Sequence, residues 1–197
     1  MDRNAYPDLK RADEQMIAGA SAALGSRENA SKAWVNRGFE LYQKDDNAGA
    51  MRRFNQAWLL NPDNPEVYWG FAVVLNDQRR YCDGVKMIDL AYSKGPIQAG
   101  FVPDAALMYS GCAMETNAAD TETRRKYVAR SDELFAEAVA SPLVKKDYTL
   151  FQWTRAMYFR GDYRGAWEKV AQYRRETGKE IDPALLRELS AKLPEPK

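Results

Sequence analysis

A chain without histidine has few routes to acid–base or nucleophilic chemistry near neutral pH. None of the 197 residues is His, which removes His-based triads, His general bases and His metal ligands together. The only thiols are Cys82 and Cys112. Without His they would need carboxylate help to close a metal shell, and their spacing fits no zinc pattern. They form a disulfide or stay free, and spacing alone does not choose. Carboxylates are plentiful, among them Asp45, Asp46, Asp63, Glu66, Asp77, Asp83, Asp132 and Glu133. In a helical chain such residues fill turns and solvated faces. Asp45-Asp46-Asn47 has the look of a calcium-loop start, but alternating ligands, a correctly placed Gly and a closing Glu do not follow. It reads as a turn and a helix N-cap. No Gly-rich phosphate loop follows a strand, and no spacing marks a Ser–Lys nucleophile pocket. The chemistry-bearing residues therefore read as a non-enzyme with no metal and no cofactor.

The composition supports a folded binding protein. Hydrophobic residues are 45% and charged residues 29%, enough to bury a core. Lys and Arg total 29 against 28 Asp and Glu, so the basic surplus that nucleic acid or anionic membrane demands is missing. From Thr123 onward there are 16 basic and 11 acidic residues, against 13 and 17 before it, but the signs are interleaved as on a solvated face. Aromatic residues are 12%, with 5 Trp and 11 Tyr, types that serve both cores and binding surfaces. No apolar run approaches the ~18 residues that span a membrane. Met1-Asp2-Arg3-Asn4 carries no apolar signal region. Either the chain is cytoplasmic, or the initiator Met stands where an export signal was removed and polar Asp2 to Pro7 is a short tether.

The elements that would position these residues are helices. Asp8 to Leu24 carries Leu9, Ala12, Met16, Ala20 and Ala23 at helical spacing, behind Pro7 and before Gly25. Ser26 to Ser31 is a polar stretch. Beyond it the chain repeats with a period of 34: Trp34 and Tyr68, Gly38 and Ala72, Ala50 and Gly84, Phe54 and Ile88, Ala57 and Ala91, Pro62 and Pro96. Small residues at Gly38 and Ala50 let two helices approach, and Trp34 and Phe54 fill the remaining volume. Ala57 leaves room for the next pair, and Pro62 forces a turn.

Trp34, Gly38, Ala50, Phe54, Ala57 and Pro62 stand at the spacing of one tetratricopeptide repeat. This segment therefore resembles the tetratricopeptide repeat family, departing from its pattern at Arg37 and Leu41. A second copy covers about 65–98. A third, about 103–143, carries a polar insertion from Asn117 to Lys126. A fourth, about 147–178, contains Gly161-Asp162-Tyr163-Arg164-Gly165-Ala166, which is similar to the family's turn between helices. Asp182-Pro183 opens a last helix whose stripe is Leu185, Leu186, Leu189 and Leu193. The organisation read here is an N-terminal helix and linker over 1–30, repeats over 31–178, and a capping helix and tail over 179–197. The fold class expected is all-α, a short right-handed superhelix of about four helix pairs with flanking helices, with eight to ten helices and no sheet.

The resemblance implies that the first helix of each pair lines a concave groove. Carried onto this chain, the lining includes Lys32, Val35, Phe39, Tyr42, Trp69, Val73, Met108, Tyr148, Phe151, Arg155 and Tyr158; the alternative is that some of them pack internally, against the N-terminal helix folded into the groove. Val35 and Phe39 stand where one subfamily has the Lys and Asn of a carboxylate clamp, which disfavours acidic peptide tails as partners. An aromatic groove suits an amphipathic helix or an extended segment with large side chains. The expected role is a scaffold or adaptor binding a protein or peptide; the alternative is a structural subunit that uses the same aromatic surface in a homo-oligomer. Small bacterial proteins that look like this are often exported or lipid-anchored, which places a periplasmic or membrane-anchored location slightly ahead of the cytoplasm.

Overall fold

Six of the described helices start at a side chain that accepts a backbone N–H of the first turn. In the computed structural model, which describes residues 6–196, Pro7 occupies the first turn of α1 (Pro7–Leu24) and Gly25 ends it at φ 82°. Residues 2–5 of the expected tether lie outside the described residues. Ser26 accepts the Asn29 N–H at 3.0 Å and so caps α2 (Arg27–Tyr42). The stretch 26–31 is therefore a helix start rather than a linker. Asp45 turns the chain at φ 61°, and Asp46 accepts the Gly49 N–H at 2.8 Å to cap α3 (Asn47–Leu60). Asn64 caps α4 (Pro65–Asp77), again with Pro at the first helical position. The turn at Asp45 recurs one period later at Arg79, φ 56°, before α5 (Tyr81–Lys94).

α6 (Phe101–Glu115) starts two residues before the expected Pro103, and Phe101 is only 2% exposed. Asp120 caps α7 (Thr121–Ala140), 20 residues long, so the polar insertion is mostly spent in lengthening this second helix. α8 (Lys146–Arg160) ends at Gly161, φ 82°, and Asp162 then caps α9 (Tyr163–Thr177) by accepting the Gly165 N–H at 2.9 Å. Gly161-Asp162 repeats the left-handed-then-cap turn of Asp45-Asp46. Asp182 caps α10 (Pro183–Lys192). The described residues form these ten helices and no strand, an all-α fold in which helices adjacent in sequence pack on one another.

The chain divides into two units: residues up to Gln78 with Lys86–Ile97, and Arg79–Val85 with Gln98 onward. In the first unit α1 lies on α2, and α2 pairs with α3, which meets α4. Phe54 of α3 is fully buried, and a Cβ on Gly38 of α2 or Gly70 of α4 would overlap its ring. One phenyl ring thus fixes two helix contacts, and both depend on glycine for close approach. Ala50, Ala57 and Ala72 are also fully buried, as small residues at helix crossings should be. Ser31 of α2 donates to the Ala57 carbonyl at 2.9 Å and accepts from Asn64 at 3.0 Å, so the polar atoms in this seam are satisfied.

In the second unit α6 pairs with α7, α8 with α9, and α8 also contacts α6 and α7. Ser131 of α7 donates to the Ala106 carbonyl at 2.8 Å, the same seam bond made from the opposite helix of a pair. Phe135, Leu134, Leu150 and Val170 are fully buried. α10 covers the end of α9 with Leu185 and Leu189, 7% and 0% exposed, and Trp167 of α9 donates its indole N–H to the Leu193 carbonyl at 2.8 Å.

The cysteines are bridged. Gly111 of α6 admits the Tyr81 ring and Gly84 of α5 admits the Met108 thioether, since a Cβ at either glycine would overlap them. This close approach brings Cys82 and Cys112 to a Cα separation of 4.6 Å, and they form a disulfide. Glu115 accepts the Cys82 N–H at 2.8 Å at the start of α5.

Candidate functional site

In the first unit the aromatic side chains form a graded stack. Phe54 lies at the bottom, fully buried. Phe39 of α2 meets it edge-on at 5.2 Å between centroids, and Trp69 of α4 meets Phe39 at 4.7 Å. Phe39 and Trp69 are half-buried, each with one side on the core and the other toward solvent. Tyr42, one helical turn after Phe39, donates its hydroxyl to Asp77 at 3.1 Å, and Asn47 donates to the other Asp77 oxygen at 3.1 Å. The phenol is therefore held across the ends of α2 and α4. Lys32 is exposed and pairs with Glu28 at 2.9 Å. The pair's hydrogen bond raises the Lys32 amine and lowers the Glu28 carboxyl relative to their ordinary values. Arg53 lies 4.3 Å over the Trp34 ring.

Two residues expected on the open face of this unit are interior. Val35 is 1% exposed and packs with Ala57 and Val67, while Val73 is 6% exposed against Ala50 and Phe54. Val35 of α2 is covered by α3 and α4, and Val73 of α4 is covered by α3, the helix before it in the chain.

The second unit presents a stripe along α8. Tyr148, Phe151, Arg155, Tyr158 and Phe159 recur at helical spacing; Tyr148 is 43% and Phe159 55% exposed, the others half-buried. The Arg155 guanidinium lies 5.6 Å from the Phe151 centroid and 5.8 Å from that of Phe159, a cation between two rings. Tyr158 contacts Phe159 at 5.3 Å and Tyr163 at 5.8 Å. Burial, with the Asp104 charge nearby, raises the Tyr148 phenol above its ordinary value. Met108 is 1% exposed and fills the space that Gly84 leaves, so it is a packing group rather than part of an open surface. Phe159, next to Tyr158 and exposed, extends this stripe although it was not among the residues expected to line the groove.

A second feature of this unit had no signal in the repeat register. Trp153 of α8 stacks on Phe135 at 5.6 Å with 13° between planes, and its indole N–H donates to Asp132 at 2.8 Å. Arg160 grips the same carboxylate at 2.9 and 3.2 Å. Lys169 of α9 places its amine 3.7 Å from the Trp153 centroid.

Among the described residues, no group of three His, Cys, Asp or Glu side chains lies close enough to hold a metal ion. No described helix is long and apolar enough to cross a membrane. No protein-family model matches the chain, and no curated protein matches it.

Proposed function

We propose that this chain is a tetratricopeptide-like scaffold that holds a segment of another polypeptide against aromatic side chains of its first helices. The observation that carries the reading is the Phe39–Trp69 pair: two large half-exposed rings anchored on buried Phe54. Rings fixed by a core lose little freedom on binding and match the residue types that dominate interface hot spots. Tyr42 extends the same face, and Lys32 adds an exposed cation on α2. In the second unit the Phe151–Arg155–Phe159 stripe offers a similar surface. The partner chemistry that suits both is a segment with large apolar side chains at helical or extended spacing. The Cys82–Cys112 bond supports a working place in an oxidising compartment.

The test is selection of binding peptides from a displayed random library, followed by titration against variants. Trp69→Ala is expected to weaken selected peptides by at least ~2 kcal/mol. Because Trp69 is half-buried, the same change costs about 1–2 kcal/mol of stability, short of the 3–5 typical of a core Trp. A stability loss in the core range with unchanged affinity in the folded fraction would reject the reading. Light scattering on the same preparations separates it from the oligomer alternative, which demands a stable dimer or larger assembly.

A further inference from the structure

Between α7, α8 and α9 the second unit contains a cleft of about 420 Å³, within the size range of small-molecule sites. Its wall is apolar: Ala136, Val139 and Ala140 on α7 and the Trp153 ring on α8. Trp153 is immobilised, stacked on Phe135 and tied through Asp132 to Arg160, whose side chain is 6% exposed. The wall is therefore rigid before any ligand arrives.

The charges at its mouth do not balance locally. Lys146 pairs with Glu176 at 3.3 Å, and Glu176 also accepts from Gln172 at 2.7 Å, so that carboxylate is engaged. Lys169 has only the Gln172 amide oxygen at 3.3 Å and the face of Trp153 at 3.7 Å. No described carboxylate lies within ion-pair distance of its amine. Burial pushes that amine below the ordinary lysine range, against the opposing pull of Glu168, Asp132 and Glu176. A half-buried ammonium with no carboxylate at ion-pair distance is costly, and an incoming anion relieves the cost.

We infer that this cleft binds a small monocarboxylic acid with an apolar tail, its carboxylate on Lys169 and its tail on Trp153 and the α7 alanines. A dianion such as phosphate fits less well, because Glu176 borders the same cleft and the wall is apolar. A cationic ligand meets Lys169 and is repelled. This site is independent of the peptide-binding reading, since it uses none of the same side chains.

The experiment is calorimetric titration of the full chain with 4-phenylbutanoate, 4-phenylbutanamide and 4-phenylbutylamine. The acid is expected to bind saturably, and the isosteric amide and the amine at least about tenfold more weakly, the usual worth of a hydrogen bond to a charged group. Lys169→Met should weaken the acid by a similar factor, Lys169→Arg should restore it, and Ala136→Trp, which fills the cleft from an exposed position, should abolish it. Thermal melts establish that each variant is folded; should Lys169→Met fail to fold, the acid–amide comparison and Ala136→Trp decide. Equal binding of acid and amide, acid binding that survives Ala136→Trp, or no acid binding up to its solubility limit would each overturn the inference.

Discussion

Phe54 shows how much of the repeat rests on single contacts. Its ring occupies the volume that a methyl group on Gly38 or Gly70 would need. Gly38→Ala and Gly70→Ala should therefore each destabilise by about 1–3 kcal/mol through overpacking, although alanine is the better helix former. Denaturant melts of the two variants measure this, and a gain in stability at either site would mean that the helices can separate without loss. Ala57 and Ala91, one period apart, are both fully buried. An arginine at either must displace a neighbouring helix or leave its charge unpaired, so Ala57→Arg and Ala91→Arg should cost roughly 2–5 kcal/mol. Losses below about 0.5 kcal/mol at both would be ordinary surface behaviour and would contradict the packing described.

At the level of elements, α10 is a ten-residue helix that stays folded by what it covers. Leu185 and Leu189 are buried and Trp167 bonds the Leu193 carbonyl, so truncation after Gly178 strips the cover from α9. The shortened chain should aggregate and lose its cooperative melt; one as soluble and stable as the parent would show that α10 is not a cap. Charge reinforces the same region. Glu180 is held below the ordinary carboxyl range by Arg174 and by the Ile181 N–H. Glu176 is lowered by Gln172 and Lys146, and Asp147 by the Tyr148 N–H and Lys179. A lowered carboxyl binds its proton less readily folded than unfolded, so its contribution is intact above the ordinary carboxyl pKa and disappears as pH falls through the lowered value. The melting temperature should accordingly hold as pH drops to about 5 and fall below roughly 4.5. Following the Leu189 amide by hydrogen exchange across that window localises the loss, and unchanged protection there at acid pH would place the effect elsewhere.

For the whole molecule the Cys82–Cys112 disulfide adds a covalent constraint to the packing of the core. It closes a loop of sequence separation 30, for which chain entropy predicts about 3–4 kcal/mol. Reduction, or the double change Cys82→Ser with Cys112→Ser, should lower the melting temperature by roughly 10 °C in a chain of this size. Identical melts with and without reductant would show that the Tyr81–Gly111 and Gly84–Met108 contacts hold residues 81–85 against α6 unaided.

The sequence by itself determined the helices and the periodic positions that bury. Gly38, Ala50, Phe54 and Ala57 are interior because a 34-residue period of small and large residues has one economical use, the close pairing of helices. Capping was equally legible, since Asp46, Asp162 and Asp182 are local devices acting within three residues. Side-chain exposure on the first helices was not. Val35, Val73 and Met108 sit at register positions assigned to an open face, yet each is buried by a neighbouring helix: Val35 by α3 and α4, Val73 by Ala50 and Phe54 of α3, and Met108 beside Gly84 of α5. Tertiary structure alone also bridged the two cysteines, by letting Gly84 and Gly111 bring residues 81–84 close to α6. It likewise set Lys169 over the Trp153 ring, since residues sixteen apart on different helices meet only when the pair closes. Patterns read along one helix survive in sequence, whereas contacts between helices depend on crossing angles and close approach that no local spacing encodes.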